Sequence, residues 1–334
     1  MERIVSLSSL DTYLLKAPQR QKVIIADSNT SELCLSVLIY NMESLIDAQI
    51  IEIEAGEESK NLETYCSIVE ALIEQGADKD TVLIALGGGV VCDVASFVAS
   101  TFKRGIEVCL IPTTTLAMVD AAIGGKNGLN IGTVKNQIGN IKFASKVCID
   151  EVFLETLEAR HIVNGVAEML KTALIADRQL AYEIMQMPPL EAGTNIQLLK
   201  RCIRIKQSIV RKDPNDKAER RLLNFGHTIG HAIESLAMQE GRDLLHGEAI
   251  ANGMYHILNL CEQMPQEEKD VLRTYLSTHF TIEPIADKMQ DLFNYMNADK
   301  KNSNQCFNLV LLESIGKGVY NCSTDREQIL SCMK

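Results

Sequence analysis

The sequence predicts an α/β N-terminal domain with a Rossmann-like parallel sheet, followed by a mostly α-helical C-terminal domain. Three observations carry this. Short β-branched runs alternate with helical patterns over the first 150 residues. A triple glycine, Gly87–Gly89, follows one of those runs directly and opens a helical pattern. From about residue 152 the strand signal fades and 3.6-residue periodicity takes over. Strands alternating with helices imply parallel βαβ units. The boundary is placed at 155/156, giving domains 1–155 and 156–334 within the 334 residues.

The elements follow in order. VIIAD (23–27) and IIEIEAG (50–56) read as buried strands. NLETYCSIVEALIEQG (61–76) is an amphipathic helix with apolar Leu62, Tyr65, Ile68, Val69, Leu72 and Ile73, stopped by Gly76. TVLIAL (81–86) is a strand that runs into GGG, VVCDVASFVASTF is the helix after it, and EVCLIP (107–112) is a further strand. Helices are expected at 158–177, 180–187, 196–212, 219–239, 246–263, 267–279 and 287–298, with a β-like piece at 306–316.

Composition narrows the function. With 46% hydrophobic and 23% charged residues the chain reads as an ordinary globular protein. A net charge of −11 argues against a broad nucleic-acid surface, and an anionic small substrate would need a local basic cluster. Ten cysteines include no CxxC pair, so a zinc ribbon is not expected and reduced thiols in the cytoplasm are. The opening MERIVSLSSLDTYLL has neither the charge nor the apolar run of a signal peptide, and the apolar stretch 108–125 is broken by Pro112, Asp120 and glycines, so no membrane span is expected.

Two sets of candidate site residues emerge. In the N-terminal half, Gly87, Gly88 and Gly89 lie between strand and helix, where backbone N–H groups can approach a phosphate. Asp27 and Asn29, Glu57 and Lys60, and Thr113 and Thr114 follow other strands. Four polar strand ends suggest an extended ligand such as a dinucleotide. The stretch VDAAIGGKNGLNIGTVKNQIG (119–139) reads as a glycine- and asparagine-rich loop, with Lys126 and Lys135 for an anion and Asp120 for a hydroxyl. In the C-terminal half, Glu168 sits in an apolar helix, His227 and His231 are four apart, and His246 begins another helix. A catalytic divalent metal takes such ligands. Spacing permits both helix histidines with Glu168, or one of them with His246 and Glu168.

The ordered set GEESK (56–60), GGGVVCD (87–93), RG (104–105), PTT (112–114), VDAAIGGK (119–126), KN (135–136), GVAEMLK (165–171), LNFGHTIGHAIE (223–234), HGEA (246–249) and DKK (299–301) resembles the 3-dehydroquinate synthase family over nearly the whole chain. The resemblance implies a dehydroquinate synthase-like fold and a homodimer that uses NAD and a divalent metal, usually zinc, with cobalt as another candidate. It implies conversion of 3-deoxy-D-arabino-heptulosonate 7-phosphate into 3-dehydroquinate and phosphate, in the shikimate pathway. That reaction is a closed redox cycle: oxidation at C5, β-elimination of phosphate, re-reduction, ring opening and intramolecular aldol closure.

By position the resemblance implies Glu168, His227 and His246 as metal ligands. It implies NAD contacts from Asp27, Asn29, Glu57, Lys60, Gly88, Gly89, Val90, Val91, Cys92, Asp93, Thr113, Thr114, Lys126, Lys135, Phe153 and Thr156. His231, Lys171, Asp120 and Lys126 would be catalytic, with His231 moving a proton or orienting substrate. Arg104, Lys135, Asn136, Lys206, Arg220, Asn224 and Lys300 would bind substrate, Arg104 reaching the partner subunit's site. Asn224 is expected to extend one helix face with His227 and His231. Three departures stand out: Cys92 where the family commonly has Gly, which puts an oxidisable thiol beside a cofactor phosphate, Asn127 in GGKNG, and DPNDKAERR (213–221) in place of the usual acidic loop. A sister sugar-phosphate cyclase and a metal-dependent NAD alcohol or glycerol dehydrogenase are the alternatives; the second would not need the basic cluster.

Overall fold

A computed structural model describes residues 2–132, 134–298 and 306–332. The chain divides into two compact units, 1–161 and 162–334.

The first unit runs β1 (Arg3–Val5), α1 (Leu7–Leu15), β2 (Lys22–Asp27), α2 (Ser28–Leu33), α3 (Leu35–Asn41), β3 (Gln49–Ile53), α4 (Leu62–Glu74), β4 (Val82–Gly87), α5 (Gly89–Thr101), β5 (Glu107–Pro112), β6 (Lys126–Ile131), β7 (Val134–Ile141) and β8 (Lys146–Cys148). Six strands form one sheet in the order β1-β8-β5-β4-β2-β3, and every pair in it is parallel. The central strands are continuous apolar runs because helices must cover both faces of such a sheet. Val23, Ile24, Ile25, Leu83 and Ile84 are fully buried.

The four predicted strands are all present, but β3, at the sheet edge, is not the buried strand expected: Ile50 is 45% exposed. The short strands β1 and β8 escape a periodicity reading, since three residues cannot display a period. Residues 119–139 are not the expected open loop. A π-type turn, Ala117–Ala121, leads to the antiparallel hairpin β6–β7, whose backbone groups pair across the ladder.

The second unit contains α6 (Ala159–Ala176, whose first residues belong to the first unit), α7 (Arg178–Gln186), α8 (Pro189–Thr194), α9 (Ile196–Lys212), α10 (His227–Gln239), α11 (His246–Ile257), α12 (Gln266–His279), α13 (Met289–Ala298), β9 (Cys306–Ser314), β10 (Lys317–Asp325) and α14 (Arg326–Cys332). The expected helix 219–239 is two pieces. A 3₁₀ segment, Glu219–Asn224, ends before Gly226, which has φ +76° and serves as N-cap of α10. A Cβ there would be strained by that φ and would sit 2.7 Å from Met254 Cγ, so the break needs glycine. The expected helix 246–263 stops at Ile257 and tightens into a 3₁₀ turn, Leu258–Leu260. The β-like piece at 306–316 is one strand of an antiparallel hairpin with β10.

Candidate active site

In the first unit, β2 connects outward to β3 while β4 connects to β5 on the other side. The carboxyl ends of β2 and β4 therefore flank the topological switch point, the crevice where open α/β sheets take ligands. Asp27 ends β2 and caps α2. Its Oδ1 accepts from Thr30 N at 2.8 Å, and Thr30 Oγ1 accepts from Asp27 N at 3.0 Å. The same hydroxyl lies 3.0 Å from the Leu86 carbonyl of β4, which ties the two strand ends together.

Past β4, no side chain among the described residues caps α5 at Gly88. Its first N–H groups are thus available to an anion. The glycines differ in what they permit. A Cβ on Gly87 would lie 2.5 Å from Val91 Cγ2, whereas one on Gly88 would meet Thr114 Cγ2 at an ordinary 3.4 Å. Packing requires Gly87; Gly88 keeps the loop surface slim. Thr114 Oγ1 accepts from Ala117 N at 3.1 Å, while Thr113 is buried.

A polar cluster joins the segment after β3, the N-terminal part of α5 and the β6–β7 hairpin. Lys60, 6% exposed, donates to Asp93 Oδ2 at 2.5 Å and Asn136 Oδ1 at 2.7 Å. Asn130 donates to Glu57 Oε1 at 2.8 Å and accepts from Asn136 N at 2.9 Å. Lys135 Nζ lies 3.8 Å from Glu57 Oε1. Burial pushes the Asp93 carboxyl above its ordinary value, against the opposing effect of Lys60. Asn130, absent from the sequence-derived set, is what holds Glu57 and Asn136 in register; an Asn among hairpin glycines carries no signal that distinguishes it.

Other expected residues are placed plainly. Asn29, Arg104, Lys126 and Thr156 are exposed, Asp120 lies in the π-type turn, and Val91 is buried. Phe153 is 2% exposed, so its ring belongs to the core and only its backbone can face a ligand. Cys92 is 1% exposed, its Sγ donating to Gly87 O at 3.7 Å, and burial raises its thiol pKa. This contradicts the expectation of an oxidisable thiol, because the reactive thiolate is disfavoured there.

In the second unit, Glu168 on α6 is fully buried. One turn on, buried Lys171 pairs with its Oε2 at 2.5 Å. Oε1 has no hydrogen-bond partner among the described residues. It faces two imidazoles, with His227 Nε2 at 3.5 Å and His246 Nε2 at 3.7 Å. These exceed good hydrogen-bond length. They match the edge of a tetrahedral metal shell, roughly 3.4 Å for metal–ligand bonds of about 2.1 Å.

His227 begins α10, and its Nδ1 lies 3.1 Å from the Phe225 carbonyl. A carbonyl only accepts, so Nδ1 carries the hydrogen and Nε2 offers a lone pair. Burial first, then the charge of Lys171, holds His227 well below its ordinary pKa, in the neutral form that ligates. His246 begins α11. Glu248 Oε2 accepts from Leu245 N at 2.9 Å, and Asn164 Oδ1, on α6, accepts from Gly247 N at 2.6 Å. Glu234, buried on α10, lies with Oε2 3.3 Å from His246 Nδ1. The helices touch through glycine: a Cβ on Gly253 would lie 2.0 Å from Gly226 O.

His227, His231 and His246 also place ring nitrogens within 4.8 Å of one another, so an all-histidine set is sterically open. His231 is the exposed member, its ring centroid 5.0 Å from that of His227. Asn224 does not share their helix face, because Gly226 turns the chain between them. Its Nδ2 donates back to Arg221 O at 3.0 Å.

Lys206 on α9 and Arg220 are both buried, and Arg220 Nη1 donates to Pro214 O at 3.0 Å. The altered loop 213–221 is organised by Asp213, whose carboxylate accepts from the N–H groups of Lys217, Ala218 and Arg220. Burial opposes ionisation of Asp213, but those hydrogen bonds outweigh it and lower its pKa. Lys300 lies outside the described residues. Glu234 and Asn164 were not legible as site residues. The only signal for Glu234 is a lone acid in the apolar AIESLA.

The comparisons with known proteins agree along the chain. Residues 50–164 match the 3-dehydroquinate synthase N-terminal family and residues 165–302 the 3-dehydroquinate synthase C-terminal family. A 3-dehydroquinate synthase of Parabacteroides distasonis is 34% identical over 98% of this chain and 94% of its own length. Among solved structures, 2-epi-5-epi-valiolone synthase from Streptomyces hygroscopicus, with NAD⁺ and Zn²⁺ bound, is 26% identical. It aligns with a TM-score of 0.84 over 100% of this chain and 96% of its own. A 2-deoxy-scyllo-inosose synthase complexed with carbaglucose-6-phosphate, NAD⁺ and Co²⁺ is 27% identical, with a TM-score of 0.82 over 99% and 95%. The chain belongs to the 3-dehydroquinate synthase family.

Proposed function

We propose that the chain converts 3-deoxy-D-arabino-heptulosonate 7-phosphate into 3-dehydroquinate and inorganic phosphate. In this reading NAD sits along the β2–β4 crevice, and Glu168, His227 and His246 hold a divalent cation, zinc or cobalt. The single observation that carries it is Glu168: a fully buried carboxylate with one oxygen turned to two imidazole Nε2 atoms at 3.5 and 3.7 Å. A buried charge needs compensation. Lys171 supplies it on one oxygen, and a cation fits the other. His231, exposed beside this set, is left to address substrate.

When bound, NAD⁺ exchanges a hydride with the substrate and the cation polarises the reacting oxygen. The rest falls to side chains. Lys60 neutralises Asp93 and holds the hairpin that carries Lys135 and Asn136. Lys126, Lys135, Lys206, Arg220 and Lys300 bind the phosphate and carboxylate, local cations that a chain of net charge −11 needs for a doubly anionic substrate. Asp120 accepts from a substrate hydroxyl, and Lys171 pairs with Glu168 Oε2. His231 moves or positions a proton. Loss of zinc from His231→Ala, with hydride transfer retained, would contradict that role.

The same reading makes the chain a cytoplasmic homodimer, with Arg104 reaching the partner's substrate. Arg104 is exposed with φ +67°, next to Lys103 at φ +47°, a strained turn that suits a projecting contact. Sedimentation equilibrium tests the dimer. Among the described residues no helix is long and apolar enough to cross a membrane.

The deciding assay mixes protein, zinc and trace NAD⁺ with the heptulosonate phosphate and follows both products. Many turnovers per NAD⁺ are expected. Absence of phosphate release from this substrate would sink the reading, and release only from another sugar phosphate would favour a sister cyclase.

A further inference from the structure

Two hydrogen bonds fix the backbone on either side of His246. Leu245 N is held by Glu248 and Gly247 N by Asn164. Neither bond sets the rotation of the imidazole or which ring nitrogen carries hydrogen. On the Nε2 side, Glu168 Oε1 at 3.7 Å is beyond hydrogen-bond reach. On the Nδ1 side, Glu234 Oε2 lies 3.3 Å away, on a side chain that is buried in the middle of α10.

We infer that Glu234 is a positioning residue: its carboxylate accepts the Nδ1 hydrogen of His246, fixes the ring and leaves the Nε2 lone pair aimed at the Glu168–His227 pair. An ionised carboxylate only accepts, so the tautomer follows. The neighbouring imidazole makes the comparison. His227 is held the same way, Nδ1 to the Phe225 carbonyl at 3.1 Å, with Nε2 presented to the same Glu168 oxygen. One histidine is thus backed by a neutral carbonyl and the other by a charged carboxylate. Negative charge behind an imidazole raises its strength as a ligand, and loss of such a partner typically lowers metal affinity 10- to 100-fold. Glu234 touches neither substrate nor cation in this role; it acts through His246.

The inference rests on the reading that His246 is a ligand, so the test separates the two. Zinc affinity is measured by chelator competition on wild type, His246→Ala and Glu234→Gln. The tautomer of His246 is read by long-range ¹H–¹⁵N correlation on zinc-free, ¹⁵N-histidine-labelled protein. We expect about 10- to 100-fold weaker zinc binding in Glu234→Gln, with NAD⁺ affinity unchanged, as a purely structural lesion would not give. We expect Nδ1-protonated His246 in the wild type and a mixture in the variant, since an amide can offer either O or N. If His246→Ala loses zinc while Glu234→Gln binds it as wild type does, the inference is overturned and the ligand reading stands. If His246→Ala keeps its zinc, the ligand reading falls, and the tautomer comparison still decides Glu234. A wild-type His246 protonated on Nε2 overturns the inference even if no variant folds.

Discussion

Asn164 and Glu168 lie one turn apart on α6, and Asn164 Oδ1 accepts a hydrogen bond from Gly247 N, in the first turn of α11, at 2.6 Å. That bond fixes the start of α11 against the helix that carries the buried carboxylate. His246, the residue before Gly247, is thereby brought to 3.7 Å from Glu168. The contact allows no side chain: a Cβ on Gly247 would lie 1.9 Å from Asn164 O.

Gly247→Ala should therefore fail as a ligand scaffold before it fails as a fold. The two helices must part, at a cost of about 1–3 kcal/mol for overpacking. Asn164→Ala leaves the Gly247 N–H buried without its partner, also about 1–3 kcal/mol. Urea unfolding of the metal-free proteins reads these losses, and the zinc content of each purified variant should fall with them. Wild-type zinc content in Gly247→Ala would mean that the α6–α11 contact does not set the ligand geometry.

Lys171→Met should destabilise the metal-free protein by about 3–5 kcal/mol, the usual cost of leaving one charge of a buried pair alone. The pair is 1% and 0% exposed, so solvent screens little of it. Added zinc should raise the thermal midpoint further in the variant than in wild type, because Glu168 then has only the cation to neutralise it. Equal stability of the two metal-free proteins would show that Lys171 does not compensate Glu168.

Gly88→Ala separates cofactor binding from folding. The new methyl group meets Thr114 at 3.4 Å, ordinary contact, and Gly88 has φ −71°, which any residue adopts. Its thermal midpoint should stay near wild type. NAD⁺ affinity should drop on the order of 10-fold, about 1.4 kcal/mol, because the methyl stands where the loop must admit a phosphate. Calorimetric titration of NAD⁺ checks this. Gly87→Ala, with its Cβ 2.5 Å from Val91, should lose stability as well.

Much of the architecture was legible in the chain. Buried parallel strands are continuous apolar runs, so VIIAD, TVLIAL and EVCLIP declare themselves, and a triple glycine after one of them marks a loop that a ligand can approach. The long helices declare themselves by period. Short elements do not: β1 and β8 are three residues each, and the β6–β7 hairpin hides in a glycine-rich stretch because its stability comes from pairing across the ladder. Sequence order likewise made Glu168, His227, His231 and His246 candidates, through residue type and position. It could not choose among them, for spacing along a helix says which residues share a face and nothing about what another helix brings to it.

What another helix brings to that face is set by the tertiary structure. Gly226 breaks the expected helix, removes Asn224 from the histidine face and makes His227 the first residue of α10. Asn164 and Gly253 set how closely α11 approaches its neighbours. The sequence by itself determined the family, the order of the strands and helices, and the residue types on offer. Folding alone decided which oxygen of Glu168 Lys171 takes, which oxygen faces two imidazoles, and which buried acid stands behind His246. The last two are relationships between groups 12 to 78 residues apart on different helices, set by packing that no local pattern encodes.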